Sequence, residues 1–502
     1  MSVTWARQAT TTAAKAEAWD RIRRGRVRIV LAATIVASVA TSAAWHSAHA
    51  LSLTPLPDLA SVEQVIGAQQ AWQAGATGQG IDVALVDTGV APVPGLTSGK
   101  VVYGQDLSFD SQDPQRAYVD SYGHGTAMAG IIAGNDGVGG GYQGVAPDAR
   151  LVSVKVGARD GAVDVSQIIA GIDWVVQHAH DNGMNIRVLN LSLGTSSTQY
   201  YVTDPLAHAA ENAWRHGIAV VVAAGNDGSL MNSLADPATD PFLIAVGAED
   251  PVGTIASSDD VVPAYSSRGT GSRHADVVAP GSYVMGLLAP GSVLAQQFPN
   301  AIFGGRFLRG SGTSQAAAVT SGVVADLLSA HPAWTPDQVK QALTQSATRI
   351  ATNNPNFVGS GLVNVPGALA ATPGTAAQPF QRSTGGGSLE AARGNMHIAY
   401  NGVALVGEQD IFGNAWSPSS IVPAEESLTA WNGGSYNGAA WTGSDWTSGV
   451  TLSVTWSSVT WSSVTWSSVT WSSVTWSSVT WSSVTWSSSL FAGAAWLGSS
   501  WT

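Results

Sequence analysis

Between about Val62 and Leu369, short apolar runs alternate with longer stretches of helical pattern. Ile81–Val86, Leu151–Val156, Val188–Leu193, Ile218–Ala223 and Phe242–Val246 are continuous apolar segments, the signature of strands buried on both faces. Ser166–His180 and Pro205–His216 carry helical patterns between them. This alternation predicts an α/β fold, a mostly parallel sheet with helices on both faces. Right-handed crossovers then bring the C-terminal ends of the strands to one edge, where a site is built. The block closes with a marked helix: Thr335 is a natural N-cap, Pro336 sits in the first turn and Gln338 completes a capping box.

Hydrophobic residues make up 45% of the 502 and charged ones only 11%, which supplies a large core and excludes wholesale disorder. Residues 21–28 read RIRRGRVR, an uncharged apolar run follows from Ile29 to Trp45, and Ala48-His49-Ala50 closes the segment. Basic flank, apolar run and small-x-small ending predict a signal peptide over 1–50 and a secreted or surface-associated mature chain. The alternative is a retained membrane anchor, although the run is short of the roughly 20 residues a span needs. Beyond residue 50 the chain holds 15 basic and 32 acidic residues, a net charge of −17 that repels phosphate backbones and argues against nucleic-acid binding. There is no cysteine, which excludes disulfides, thiolate catalysis and cysteine-based metal sites.

Beyond the α/β body (51–372), residues 373–392 are rich in Thr, Gly, Ser and Ala and read as a linker. Within 393–415, Met396–Tyr400 and Val403–Val406 flank Asn401-Gly402, which predicts a hairpin with a two-residue turn. The tail, 416–502, contains 13 of the 20 tryptophans and seven unbroken VTWSS repeats from Val454 to Ser488. A five-residue period advances about 140° per repeat on a helix and alternates faces on a strand. Val, Thr and Trp favour extended chain. The readings left open are a low-complexity tail without fixed structure, an adhesive segment contacting cell wall or glycan through Trp, and an intramolecular cover for the body.

Four segments carry chemistry. VALVDTGV places Asp87 just past a buried strand. A single DTG triplet does not make an aspartic protease in one chain, which needs two carboxylates. YGHGTAMAGIIAG places His124 at the start of a helix, with Gly123 and Gly125 allowing another chain to approach closely. No HExxH occurs, which disfavours metalloprotease chemistry. GSGTSQAAAVTSG places Ser314 in the first turn of an apolar helix, where unpaired N–H groups and the helix dipole favour an oxyanion. VVVAAGNDG places Asn226 after a buried strand, where its amide is a second oxyanion donor. Gly139, Gly141 and Gly144 satisfy GxGxxG but follow a helical pattern, which argues against a dinucleotide site.

VDTGV, GHGT, AAGN and GTSQAA, in this order, resemble the subtilisin-like serine protease family, as do GVAP at 144–147, NLSLG at 190–194, IAVGA at 244–248, VVAPG at 277–281 and GSGLVN at 359–364. The likeness covers residues 62–372. It implies a three-layer subtilisin-like fold and an endopeptidase in which His124 is the general base, Asp87 orients it and Ser314 is the nucleophile. It implies that Asn226 and the Ser314 N–H bind the oxyanion. It implies that Ser192, Leu193 and Gly194 form an edge strand for extended substrate, and that Ala223, Ala224 and Gly225 line a pocket suited to apolar or aromatic side chains. The implied partner is a polypeptide and the implied state a monomer. No cofactor is required for the chemistry, and structural calcium on Asn135 and Asp136 is a candidate from the resemblance of 134–141 to a family calcium loop. The chain departs from the family at Ala127, Gln315 and Ala318, where His, Met and Pro are usual. Only 30 residues separate Ala50 from Ile81, short of a folding propeptide of the usual kind. The competing expectation is an adhesive protein whose Trp repeats carry the function.

Overall fold

The computed structural model describes residues 58–97, 99–137, 141–228, 234–352, 354–400 and 403–443, and short strands at 452–454, 490–491, 494–496 and 500–501. Residues 1–50, expected to be a signal peptide, Asn401-Gly402, expected to form the hairpin turn, and nearly all of the VTWSS repeats lie outside the described residues. No helix among the described residues is long and apolar enough to cross a membrane.

The apolar runs become a seven-stranded sheet. Its strands are β1 (Asp82–Asp87), β2 (Val101–Asp106), β3 (Arg150–Lys155), β4 (Ile186–Leu191), β6 (Ala219–Ala223), β7 (Ile244–Glu249) and β8 (Val277–Pro280). The two-residue β5 (Leu193–Gly194) follows β4 after Ser192. The order is β2-β3-β1-β4-β6-β7-β8 and every neighbouring pair is parallel. Strands β1, β6, β7 and β8 are buried along their whole length, which explains their unbroken apolar runs.

Two helix pairs cover the sheet. Helix α2 (His124–Ala133) packs against α5 (Thr313–Ala330), and α3 (Val165–Gln177) against α4 (Pro205–Arg215). Helix α1 (Leu59–Ile66) precedes them, and α6 (Pro336–Ser346) follows α5. The sequence writes several of their starts. Asp164 caps α3 through Ser166 N–H and forms a capping box with Gln167. Asp204 caps α4. The box expected at α6 forms between Thr335 and Gln338. On the sheet's far side in sequence, β9 (Val284–Leu287) pairs antiparallel with β10 (Phe307–Ser311).

Residues past 372 are fastened to the body. The stretch read as a linker is irregular, yet Ser383 N–H donates to Glu211 at 2.7 Å and Gln378 reaches Asp337 at 2.9 Å. It ends in helix α7 (Leu389–Arg393). Strands β11 (Ile398–Tyr400) and β12 (Val403–Ala404) pair antiparallel, and β13 (Leu452–Val454) adds to β11. Helix α8 (Pro418–Glu426) and a meander of Trp431–Asn432, Ser435–Tyr436 and Ala439–Ala440 follow. Trp431 Nε1 donates to the Ala170 carbonyl of α3 at 2.8 Å, and Tyr436 Oη donates to Asp173 at 2.8 Å. The last strands return to the body: β14 (Leu490–Phe491) pairs with β15 (Ala494–Trp496), β15 with β5, and β16 (Ser500–Trp501) with β10.

A further fastening is the fully buried Arg393. Its Nε donates to Asp164 at 2.6 Å and its Nη1 to the Gly407 carbonyl at 2.7 Å. Burial alone would raise the Asp164 carboxyl, but the Arg393 charge and hydrogen bonds hold it below the ordinary range. Removing one member of such a pair strands the other, at a cost of about 3–5 kcal/mol. Arg393→Met is therefore expected to lower the stability measured by urea unfolding by about that amount. A second expectation concerns pH. Burial pushes Asp173 up to about 7, opposed by the Tyr436 hydrogen bond. The folded chain keeps a proton there that the unfolded chain releases near pH 4, so this group's stabilisation is lost as pH rises from about 4 to about 7. Asp173→Asn should flatten that part of the stability curve, as read by urea unfolding at pH 5 and pH 8.

Candidate active site

The parallel sheet fixes where the chemistry meets. Asp87 ends β1, Ser192 directly follows β4, and 224–226 directly follow β6. These three strands are adjacent and parallel, so their ends share one edge across two strand spacings, roughly 10 Å.

Asp87 is fully buried and grips the His124 ring through Nδ1, at 2.8 Å to Oδ1 and 3.0 Å to Oδ2. With the Nδ1 proton held by the carboxylate, the ring's lone pair lies on Nε2. Thr88 N–H donates to Asp87 at 2.8 Å, which fixes the carboxylate's own orientation. Both flanking glycines are needed for space. A Cβ on Gly125 would stand 2.2 Å from the Gly89 carbonyl oxygen. Gly123 has φ +112°, and a Cβ there would meet Ser292 Oγ at 2.7 Å.

Sequence reasoning missed Asp120, which positions the histidine's helix. Its buried carboxylate accepts from Gly123 N–H at 2.6 Å, Tyr122 N–H at 3.0 Å, Thr126 N–H at 2.8 Å, Thr126 Oγ1 at 2.7 Å and Thr88 Oγ1 at 2.9 Å. It thus satisfies the open end of α2 and ties it to the loop after Asp87. Burial raises its carboxyl, opposed by these hydrogen bonds. An acid four residues before a helix start was the available signal.

Ser314 sits in the first turn of α5 and is buried. Its Oγ donates to the Ser192 carbonyl at 3.0 Å, and Ser192 Oγ donates back to the Ser314 carbonyl at 3.1 Å. Asn190 Nδ2 donates to Ser192 Oγ at 2.9 Å, and Ser321 Oγ donates to Asn190 at 2.9 Å. The nucleophile candidate is therefore bolted to the end of β4 at two points. The neighbouring Gln315 is buried with neither amide atom hydrogen-bonded among the described residues.

Asn226 faces the same turn. Its Oδ1 accepts from Thr313 N–H at 2.9 Å and Thr313 Oγ1 at 3.1 Å, while its buried Nδ2 has no partner among the described residues. An amide held by its oxygen keeps its N–H groups for another acceptor. Gly225 N–H donates to Thr313 Oγ1 at 3.1 Å. Ala223 and Ala224 are buried, and the Ala224 carbonyl accepts from Ala235 N–H at 2.9 Å. Thr195 and Asp236 exchange backbone hydrogen bonds of 2.9 and 3.0 Å. Residues 235–236 thus link the segment that follows Leu193-Gly194 to the segment that follows β6.

Asn135 and Asp136 do not fit the calcium expectation. The Asp136 carboxylate is paired with the Arg306 guanidinium and accepts from Tyr142 N–H at 2.8 Å. Asn135 Nδ2 donates to the Pro147 carbonyl, and its Oδ1 accepts from Gly137 N–H. A cation there would sit against a positive charge, and Arg306 lies 170 residues away, invisible to a loop motif. Among the described residues, no group of three acids or histidines could hold a metal ion.

Residues 78–361 match the sequence profile of the subtilase family, more than half of the chain. Serine protease AprX of Bacillus subtilis (strain 168) is 37% identical over 57% of this chain and 66% of its own length. Subtilisin BL of Lederbergia lenta is 35% identical over 60% of this chain and 94% of its own. The crystal structure of fervidolysin from Fervidobacterium pennivorans, a keratinolytic enzyme related to subtilisin, superposes with a TM-score of 0.50 at 30% identity. That match covers 63% of this chain and 46% of fervidolysin. The chain thus spans slightly less than two thirds of AprX and less than half of fervidolysin. With its parallel sheet and the match over 78–361, the chain belongs to the subtilase family of subtilisin-like serine proteases.

Proposed function

We propose that this chain is a serine endopeptidase that hydrolyses polypeptides through an acyl-enzyme intermediate. The observation that carries the reading is the buried Asp87–His124 pair at 2.8 Å, on the same sheet edge as the helix start that carries Ser314 and, through Thr313 N–H, ties down Asn226. Ser314 Oγ attacks the substrate carbonyl, forming an O–C bond, and its proton passes to His124 Nε2. Asp87 stabilises the imidazolium. The oxyanion takes hydrogen bonds from Asn226 Nδ2 and the Ser314 N–H. The C–N bond then breaks as His124 returns the proton to the leaving amine, and water repeats the sequence to release the acid. Ser192, Leu193 and Gly194 pair with the extended substrate, and its side chain enters between Gly194 and Ala223–Gly225. Those small, uncharged walls suit apolar or aromatic side chains. The N-terminal pattern over 21–50 supports export of the mature enzyme.

The test is covalent labelling by a fluorophosphonate together with hydrolysis of a peptide library. Labelling is expected in the wild type and absent in Ser314→Ala, whose kcat should fall about 10⁶-fold. Folded wild-type chain that neither labels nor hydrolyses would refute the reading. Asn226→Ala should keep KM and lower kcat about 10²–10³-fold, the magnitude known for an oxyanion donor of subtilisin. Asp120→Asn should lower unfolding stability by at least about 2 kcal/mol, since it replaces an acceptor of five hydrogen bonds by a group that is partly a donor. As a positioning residue it should lower kcat more than it raises KM, measured by steady-state kinetics.

A further inference from the structure

The edge assigned to substrate already has a partner from the same chain. Strand β15 runs antiparallel to β5, with Ala495 opposite Gly194 and Trp496 opposite Leu193. Strand β14 pairs with β15 on its other side, so a hairpin extends the edge. Four residues beyond Trp496, β16 begins and pairs with the end of β10, Ser500 opposite Ser311 and Trp501 opposite Gly310.

These two anchor points bracket Ser314. Leu193 follows Ser192, which exchanges hydrogen bonds with Ser314. Ser311 precedes Ser314 by three residues and ends the strand that leads into α5. An extended peptide would add to β5 through the same main-chain groups of Leu193 and Gly194. An edge strand offers one row of such groups, so two strands compete for it. Pairing over two residues is brief enough to be displaced, and its tether keeps it close.

We propose that the strands Ala494–Trp496 and Ser500–Trp501 are an internal occupant of the substrate edge, so that the chain restrains its own protease site until a polypeptide displaces them. This rests on the protease reading above. It assigns a role to the C-terminal strands that neither the triad nor the family match over 78–361 includes.

A tethered strand acts at an effective concentration on the order of millimolar. If the untethered strand binds with a Kd of roughly 0.1 mM, the tether raises KM about tenfold and leaves kcat unchanged. The experiment compares the full chain with full-chain Ala495→Pro, which removes a backbone N–H from the occupying strand. The substrate is a peptide long enough to span several residues before the cut. Ala495→Pro is expected to lower KM about tenfold at equal kcat. A synthetic peptide covering 490–502, added to that variant, should raise KM again as a competitive inhibitor. Equal KM in the two chains, with both labelled by fluorophosphonate at Ser314, overturns the occupant and leaves the protease reading standing. A change in kcat alone, or a peptide that does not compete, also overturns it. Absence of Ser314-dependent labelling in both chains overturns the protease reading first, and the occupant with it.

Discussion

The reciprocal hydrogen bonds between Ser192 and Ser314 join the end of a central strand to the start of a buried helix. That joint places the candidate nucleophile at the edge where the neighbouring strands end. On one side β1 delivers Asp87, and on the other the turn after β6 delivers Asn226, whose oxygen is tied to Thr313 one residue before Ser314. Parallel strands make this economical, because their C-terminal ends share an edge without further construction. The joint is itself braced from below by Asn190 and Ser321, two polar groups buried in the sheet–helix interface with matched partners. A polar chain of this kind tolerates little slippage between β4 and α5, since any shift leaves buried groups unpaired.

Much of this was legible in the sequence, for identifiable reasons. The five apolar runs became strands because their residues are buried on both faces. Strand β2, VVYGQD, escaped notice because it lies at the sheet edge, half-exposed, with Tyr103 and Gln105 interrupting the pattern. The Thr335–Gln338 box was readable because its two partners are three residues apart. Gly123 and Gly125 were read as space-makers, and their neighbours Ser292 and Gly89 give the reason.

What escaped the sequence depends on residues far apart or on backbone donors. Asp120 works mainly through N–H groups, which no side-chain motif records. Asp136 meets Arg306 across 170 residues, and that meeting occupies the carboxylate on which the calcium expectation relied. Residues 373–392 look like a linker by composition, yet Glu211 and Asp337 on the body's helices hold them. Gln315 stands where the family has Met, and the described structure gives its amide no partner.

The Asp164–Arg393 pair spans 229 residues. During synthesis on the ribosome, the residues of the α/β body (51–372) all emerge before this counter-ion does. Until Arg393 arrives, the carboxylate that begins α3 lacks its guanidinium, and the surface of α3 that takes Trp431 and Tyr436 waits for those still later residues. The buried charge of Asp164 is thus neutralised by a segment that follows the body in sequence and contains none of the candidate reacting groups.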